Sequence, residues 1–295
     1  MTIIPENFVL IPQLCDGTLP PATGAISTYK KPKFIKGRIP MRKILVSLCF
    51  IAVAIALPAA AQTSMQRVNR ITVVKPKPGM TAQWVAGLKK LNEYAHQHNL
   101  PLTHYCWSII SGPRTGQFVI GAIGHPWADF DTADKNSHDV TVLIMADLEP
   151  YTESHLTSYT TYREDLSGPP PSAGQAFPAF LSDTTFFLKI GGEQNVEGAI
   201  KAADAAAQKA HWQGRPSAWY QTINGSYGGQ LHLVTGYENW AAFQPPAKTF
   251  FDMLSDVLGK EGVAALGKQF DSGLRGVRSE IWRYRPDLSY IAASK

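Results

Sequence analysis

The sequence predicts an α+β protein in which one β-α-β-β-α-β unit occurs twice in tandem. Two observations lead there, an internal repeat and the order of hydrophobic periods inside each copy. Shifting the chain by 113 positions lays residues 110–117 on 223–230, and Trp127-Ala128-Asp129-Phe130 on Trp240-Ala241-Ala242-Phe243. A third block matches at a shift of 122, where Tyr162-Arg163-Glu164-Asp165-Leu166-Ser167 meets Tyr284-Arg285-Pro286-Asp287-Leu288-Ser289 at five of six positions. The nine extra residues fall in the second copy, between Phe243 and Tyr284.

Each copy reads in the same order. A β-branched strand (70–74; 184–190) leads into a helix whose apolar stripe is Trp84, Leu88, Leu91 and Ala95, or Val196, Ile200, Ala203 and Ala207. That spacing of four, three and four is one helical face. Two alternating strands follow (102–110 with 117–123; 217–223 with 230–237), joined by glycine-rich turns. A second helical region comes next, over 249–258 and 261–274 in the second copy; in the first, 140–145 reads equally as helix or strand. Closing strands are expected near 158–163 and 277–285. The repeats are placed at 66–167 and 183–289, with a proline-rich linker at 168–182 around Pro169-Pro170-Pro171 and a tail at 290–295.

The N-terminal segment is expected to be removed. Met41-Arg42-Lys43, an apolar run over 44–57 and Pro58-Ala59-Ala60-Ala61 together read as a signal peptide at 41–61, cleaved after Ala61. The run is too short to span a membrane, so no stable anchor is expected after cleavage and the mature chain is placed in the periplasm or outside the cell. Residues 1–40 are expected to be a mis-assigned start or a disordered extension. The leader holds seven basic and two acidic residues against the chain's 28 and 23, which leaves 21 of each in the mature part. A neutral mature chain gives no reason to expect a nucleic-acid partner. Of three cysteines only Cys106 remains, flanked by strand residues, so it is expected to be a buried thiol.

The β-α-β-β-α-β order is that of a ferredoxin-like split βαβ unit. Two in tandem, with the repeated Trp-Ala-x-Phe opening, resemble the dimeric α/β-barrel superfamily. That superfamily includes antibiotic-biosynthesis-type monooxygenases, haem-degrading enzymes and proteins of the NIPSNAP type. The resemblance covers most of residues 70–289 and rests on topology and the repeat; no catalytic motif matches. It implies that the two sheets close into a barrel within one chain, as an intrachain pseudo-dimer, so that the protein is a monomer or a homodimer. The sequence requires no cofactor, while the resemblance admits haem.

A register argument selects the candidate site. With two-residue turns at Pro113-Arg114 and Ser226-Tyr227, paired positions sum to 227 and 453. Tyr105, Trp107, Ile109, Phe118 and Ile120, with Tyr220, Thr222, Leu231 and Leu233, then share a core face. The other face carries His104, Cys106 and Ser108 in the first copy and Ser217, Trp219, Gln221 and His232 in the second, with Gln221 across from His232 and Ser108 across from Val119. Polar side chains on a covered sheet need partners, so His232, Gln221, Trp219, Ser217, His104 and Ser108 are the candidate ligand-binding residues. The competing expectation is that Gln221 and His232 satisfy each other. Metal ligation is not expected, since His96 and His98 do not share a helical face and no metal motif occurs. In the repeated Tyr-Arg-x-Asp-Leu-Ser ending, an Arg-to-Asp tie is expected over an anion site. Two functions follow. One is an exported protein that binds a small apolar or aromatic ligand in a half-barrel; the alternative is an enzyme of the cofactor-independent monooxygenase or haem-degrading kind.

Overall fold

The computed structural model describes residues 67–135, 137–167, 177–215 and 217–293. The expected N-terminal extension, the expected signal peptide and most of the expected linker lie outside these residues. The first half runs β1 (Arg67–Pro76), α1 (Thr81–Gln97), β2 (Tyr105–Ser111), β3 (Phe118–Pro126), α2 (Trp127–Lys135), α3 (His138–Asp147), β4 (Thr152–Tyr162) and a single turn α4 (Glu164–Ser167). The second half runs β5 (Phe180–Leu188), α5 (Glu193–Lys209), β6 (Ser217–Asn224), β7 (Gln230–Tyr237), α6 (Phe250–Ser272) and β8 (Leu274–Tyr284).

All eight strands close into an antiparallel barrel in the order β1-β3-β2-β8-β5-β7-β6-β4. The first four strands are ordered β4-β1-β3-β2 and the last four β8-β5-β7-β6, the same order with every number raised by four. The halves join at β2 with β8 and at β4 with β6. Closure leaves no unpaired edge. It also gives the strands one face lining the barrel and one turned outward, with helices packed on much of the outer face. Inside, Trp107, Ile109, Val119, Leu181 and Trp282 pack together. Under α1, Trp84 and Leu88 meet Cys106 and Phe118. Under α5 and α6, Val196, Ile200 and Ala203 meet Phe186, Trp219 and Leu231. The predicted helical stripes are therefore the faces that pack, with Leu91 only half-buried.

Several boundaries differ from expectation. Residues 140–145 lie within helix α3. Strand β5 starts at Phe180, inside the expected linker, because Phe180 and Leu181 already pair with Tyr237 and Gly236 on one side and Arg283 and Trp282 on the other. In the second half Trp240–Phe243 forms only a 3-10 turn, capped by Asn239, whose Oδ1 accepts the Ala242 N–H at 3.0 Å. The long helix begins later, behind a capping box in which Thr249 Oγ1 accepts the Asp252 N–H and the Asp252 carboxylate accepts the Thr249 N–H. It is broken at Gly259, whose φ of 70° only glycine adopts without strain.

The hairpin register is one residue from the expected one. Trp107 pairs with Val119 and Tyr220 with His232, so the paired positions sum to 226 and 452. The turns are longer than two residues: Ile109 is bonded across to both Gly116 and Gln117, and Gly116 and Gly228 take positive φ. Because side chains alternate with period two, this slip moves one strand of each hairpin to the other face relative to its partner. Tyr105, Trp107 and Ile109 line the barrel with Val119, while Phe118 and Ile120 face α1. Leu231 and Leu233 face α5 and α6.

The repeated Tyr-Arg-x-Asp-Leu-Ser block closes each half against the other. The Arg163 N–H donates to the Trp219 carbonyl and the Trp219 N–H to Ser167 Oγ; likewise the Arg285 N–H donates to the Cys106 carbonyl and the Cys106 N–H to Ser289 Oγ. Leu166, from the first half, is buried in the second half's helix layer, and Leu288, from the second half, in the first. Both arginines tie to the following aspartate through two bonds of 2.7–2.9 Å, as expected.

Candidate functional site

The six candidate residues lie in three separate places. Ser217, Trp219 and Gln221 are on the helix side of the second half, His104 and Ser108 on the helix side of the first, and His232 inside the barrel. The expected juxtapositions are corrected accordingly: His232 pairs with Tyr220 and not Gln221, and Val119 with Trp107 and not Ser108, because the longer turns shift the register.

Partners account for most of them. Ser217 Oγ lies 2.8 Å from Thr235 Oγ1. Gln221 accepts from Arg163 at 2.8 Å and donates to Glu193 at 2.6 Å, while Arg163 also reaches Glu197, so it belongs to an ion-pair network at the start of α5. His104 Nε2 lies 2.8 Å from Asn92 Oδ1. Burial, with the positive charge of Arg70 second, pushes its pKa down to about 4, so it is neutral above that pH. Ser108 sits between Phe118 and Arg283 in the sheet. Beside it, burial pushes the Cys106 thiol up to about 12, which makes it an inert packing group.

Trp219 is the exception. It is fully buried at 1% exposure, yet its Nε1 donor has no partner. It lines a cavity of about 60 Å³ under the second helix layer, walled by Phe186, Ala203, Phe250, Leu254, Gly267 and Phe270 among other apolar residues. The alanines of α5 make the room. The cavity spans the break at Gly259, with Leu254 before it and Val263, Leu266, Gly267 and Phe270 after it. No ionisable side chain lines it.

His232 belongs to a polar belt inside the barrel. Its Nδ1 lies 3.2 Å from both Asp183 Oδ1 and Thr185 Oγ1, and its Nε2 lies 2.9 Å from Thr222 Oγ1. Thr185 accepts from Arg278 Nη2, Arg278 Nε stands 3.5 Å from Glu280, and Glu280 takes two bonds of 2.6–2.8 Å from Arg114. Burial pushes the Asp183 carboxyl up, but the opposing pull of His232, Thr185 and Arg278 is larger in sum, and its pKa lies below the usual value. Burial, then Arg114, hold the Arg278 guanidinium below its usual value. The sequence reading missed Asp183, Glu280, Arg114 and Arg278. The available signal was a lone acid at an inward position of each of two apolar strands, Leu181-Ser182-Asp183 and Ser279-Glu280-Ile281.

Among the described residues, no three His, Cys, Asp or Glu side chains gather to hold a metal ion, and no helix is long and apolar enough to cross a membrane.

No protein-family model and no curated protein matches the sequence. Solved structures do resemble it. A crystal structure of an anthrone oxidase-like protein superposes with a TM-score of 0.52 at 11% identity, covering 78% of this chain and 95% of that one. Chlorite dismutase from Candidatus Nitrospira defluvii, in complex with imidazole, aligns at a TM-score of 0.44 and 9% identity, over 76% of this chain and 93% of its own. The fold, an α+β chain with an eight-strand antiparallel closed barrel, is similar to that of dimeric α/β-barrel proteins. At these identities the likeness concerns fold alone.

Proposed function

We propose that this protein binds a small apolar or aromatic molecule in the cavity under α5 and α6. The observation that carries the reading is an apolar cavity walled by Trp219, Phe186, Phe250 and Phe270 across the break in α6. Small-molecule sites are concave and mostly apolar, and aromatic walls of this kind suit an apolar or aromatic body. The break at Gly259 supplies a hinge by which the second segment of α6 moves to admit a ligand larger than the resting cavity.

The two halves are read as tandem ferredoxin-like copies, supported by the recurring strand order and the crossed closing blocks. The barrel then forms within one chain. Export completes the reading: cleavage after Ala61 places the barrel in the periplasm or outside the cell, and N-terminal sequencing of the mature protein is expected to begin at Gln62.

Haem does not fit the cavity's donor set, which offers no iron ligand. The alternative reading is a cofactor-independent monooxygenase, which needs only a pocket that holds its substrate beside a His, Trp or Asn-type group, and Trp219 lines this one. His232 lies on the other face of the sheet with both ring nitrogens engaged.

Gly267→Leu tests the binding reading. Gly267 lines the cavity and a Cβ there meets nothing within 4 Å, so a larger side chain has room at the cavity wall. Replacing a mid-helix glycine gains about 1 kcal/mol of helix propensity. The variant is expected to stay folded, with unchanged or raised stability, and to lose binding of naphthalene or indole measured by calorimetry. Naphthalene and indole binding that survives Gly267→Leu, or that the wild type does not show, would refute the site.

A further inference from the structure

We propose that the inside of the barrel, at the mouth where Arg278 and Arg114 stand, is a second ligand site that takes a small organic carboxylate with an apolar body. The inference is independent of the cavity under α6, which lies on the other face of the sheet.

Three observations point to it. The first is accessibility. Inward-facing side chains of a packed barrel have no exposed surface, yet the side chains of Arg114, His232 and Arg278 are 16–22% exposed. Across the ring, Val73 is only half-buried and its cross-strand partner Leu156 is 49% exposed. Paired residues share a face, and Val73 packs with the inner cluster, so Leu156 also faces inward. Strand β4 stands four places from β8 in the ring of eight, so this apolar wall is opposite Arg278. The mouth at this end is open to solvent.

The second is the distribution of donors and acceptors. Both Glu280 oxygens are taken by Arg114, and one also accepts from the Trp282 indole. Both Asp183 oxygens have partners in His232 and Thr185. The acids are thus satisfied, while Arg278 donates one bond from Nη2 to Thr185, ion-pairs with Glu280 through its buried Nε at 3.5 Å, and has no partner at Nη1. A guanidinium with an unused donor, partly removed from water, calls for an anionic acceptor, and the planar fork suits a carboxylate.

The third is the surrounding chemistry. The Arg278 guanidinium lies 5.3 Å from the Phe187 ring, and Ile71, Val73 and Leu156 form the far wall. A charged head at Arg278 with an apolar body toward that wall matches both surfaces. A fully polar anion such as sulfate would leave the wall dry and unmatched.

Benzoate, with the neutral benzamide as its control, is the probe. Calorimetry in the Gly267→Leu background, where the cavity under α6 no longer takes neutral aromatics, is expected to show benzoate binding and no comparable benzamide binding. Arg278→Gln is expected to weaken benzoate at least tenfold, the loss of one charge-assisted pair. Arg278→Lys, which keeps the charge but loses the fork, is expected to weaken it severalfold, and decides the matter if circular dichroism shows Arg278→Gln unfolded. Gly267→Leu should leave benzoate affinity unchanged, which separates this site from the one under α6. The proposal is overturned by benzamide binding as tightly as benzoate, by full affinity in the folded Arg278 variants, or by loss of benzoate binding in Gly267→Leu.

Discussion

Lowering the pH from 6.5 to 4 should cost this protein stability through one side chain, His104. In the folded chain its pKa is about 4, because burial disfavours the charged ring and Arg70 adds repulsion. In the unfolded chain it returns to about 6.5. Between those values the unfolded state binds the proton that the folded state refuses, so stability is complete above pH 6.5 and declines as the pH falls toward 4. At 1.36 kcal/mol per unit, a difference of about 2.5 units corresponds to about 3 kcal/mol; a ring only half-buried brings the expected loss nearer 2 kcal/mol. Urea unfolding at pH 7 and at pH 4.5 measures it, with His104→Gln as the comparison. The glutamine retains an amide donor toward Asn92 and cannot titrate, so its stability should fall less over the same interval. An identical decline in variant and wild type would show that His104 is not the group responsible. Asp183 and Asp287, both held below the usual carboxylate value, act in a different window: the stability they contribute is present above about pH 4 and is lost on further acidification.

Two further outcomes follow from the packing. Arg114→Ala strands the Glu280 carboxylate, which has no exposed surface; breaking a buried pair from one side costs about 3–5 kcal/mol, and the remaining Trp282 donor should hold the loss in thermal or urea unfolding to the lower part of that range. A loss below 1 kcal/mol would mean that water already reaches Glu280. Leu166→Ala and Leu288→Ala each empty a buried site in the opposite half and should each cost about 2–5 kcal/mol. Because each leucine plugs the other half's core, either variant is expected to lower the single unfolding transition of the whole barrel; two separated transitions would contradict the crossed arrangement.

The repeat was legible because its residues are bound to backbone geometry. The arginine, aspartate, leucine and serine of the closing block each have one geometric task, performed once per half, so they recur in the sequence. Helix faces were legible for the same reason, since Trp84, Leu88, Val196 and Ile200 must all point one way. The register was not legible. Both faces of the hairpin strands carry buried apolar residues, so alternation carries no label for inside and outside, and a residue taken up by a left-handed glycine such as Gly116 leaves no mark in the hydrophobic pattern. In the second hairpin the same slip, beside Gly228, separated His232 from Gln221. The candidate site suffered accordingly: Trp219 was placed on a buried face, but the acids that organise the barrel interior lie in β5 and β8, strands outside the hairpins to which the register argument applied.

The crossed closing blocks bear on how the chain acquires its shape during synthesis. Leu288 and Ser289 complete the core built by residues 68–148, so the first half leaves the ribosome with a seam that stays open until residues 288 and 289 have emerged. An N-terminal unit of this kind cannot settle by itself while its successor is being made. Folding must await the last strand, and contacts separated by about 180 residues place this barrel among slow, topologically complex folders. On the proposed export route, a seam sealed last would delay compaction until translocation is over.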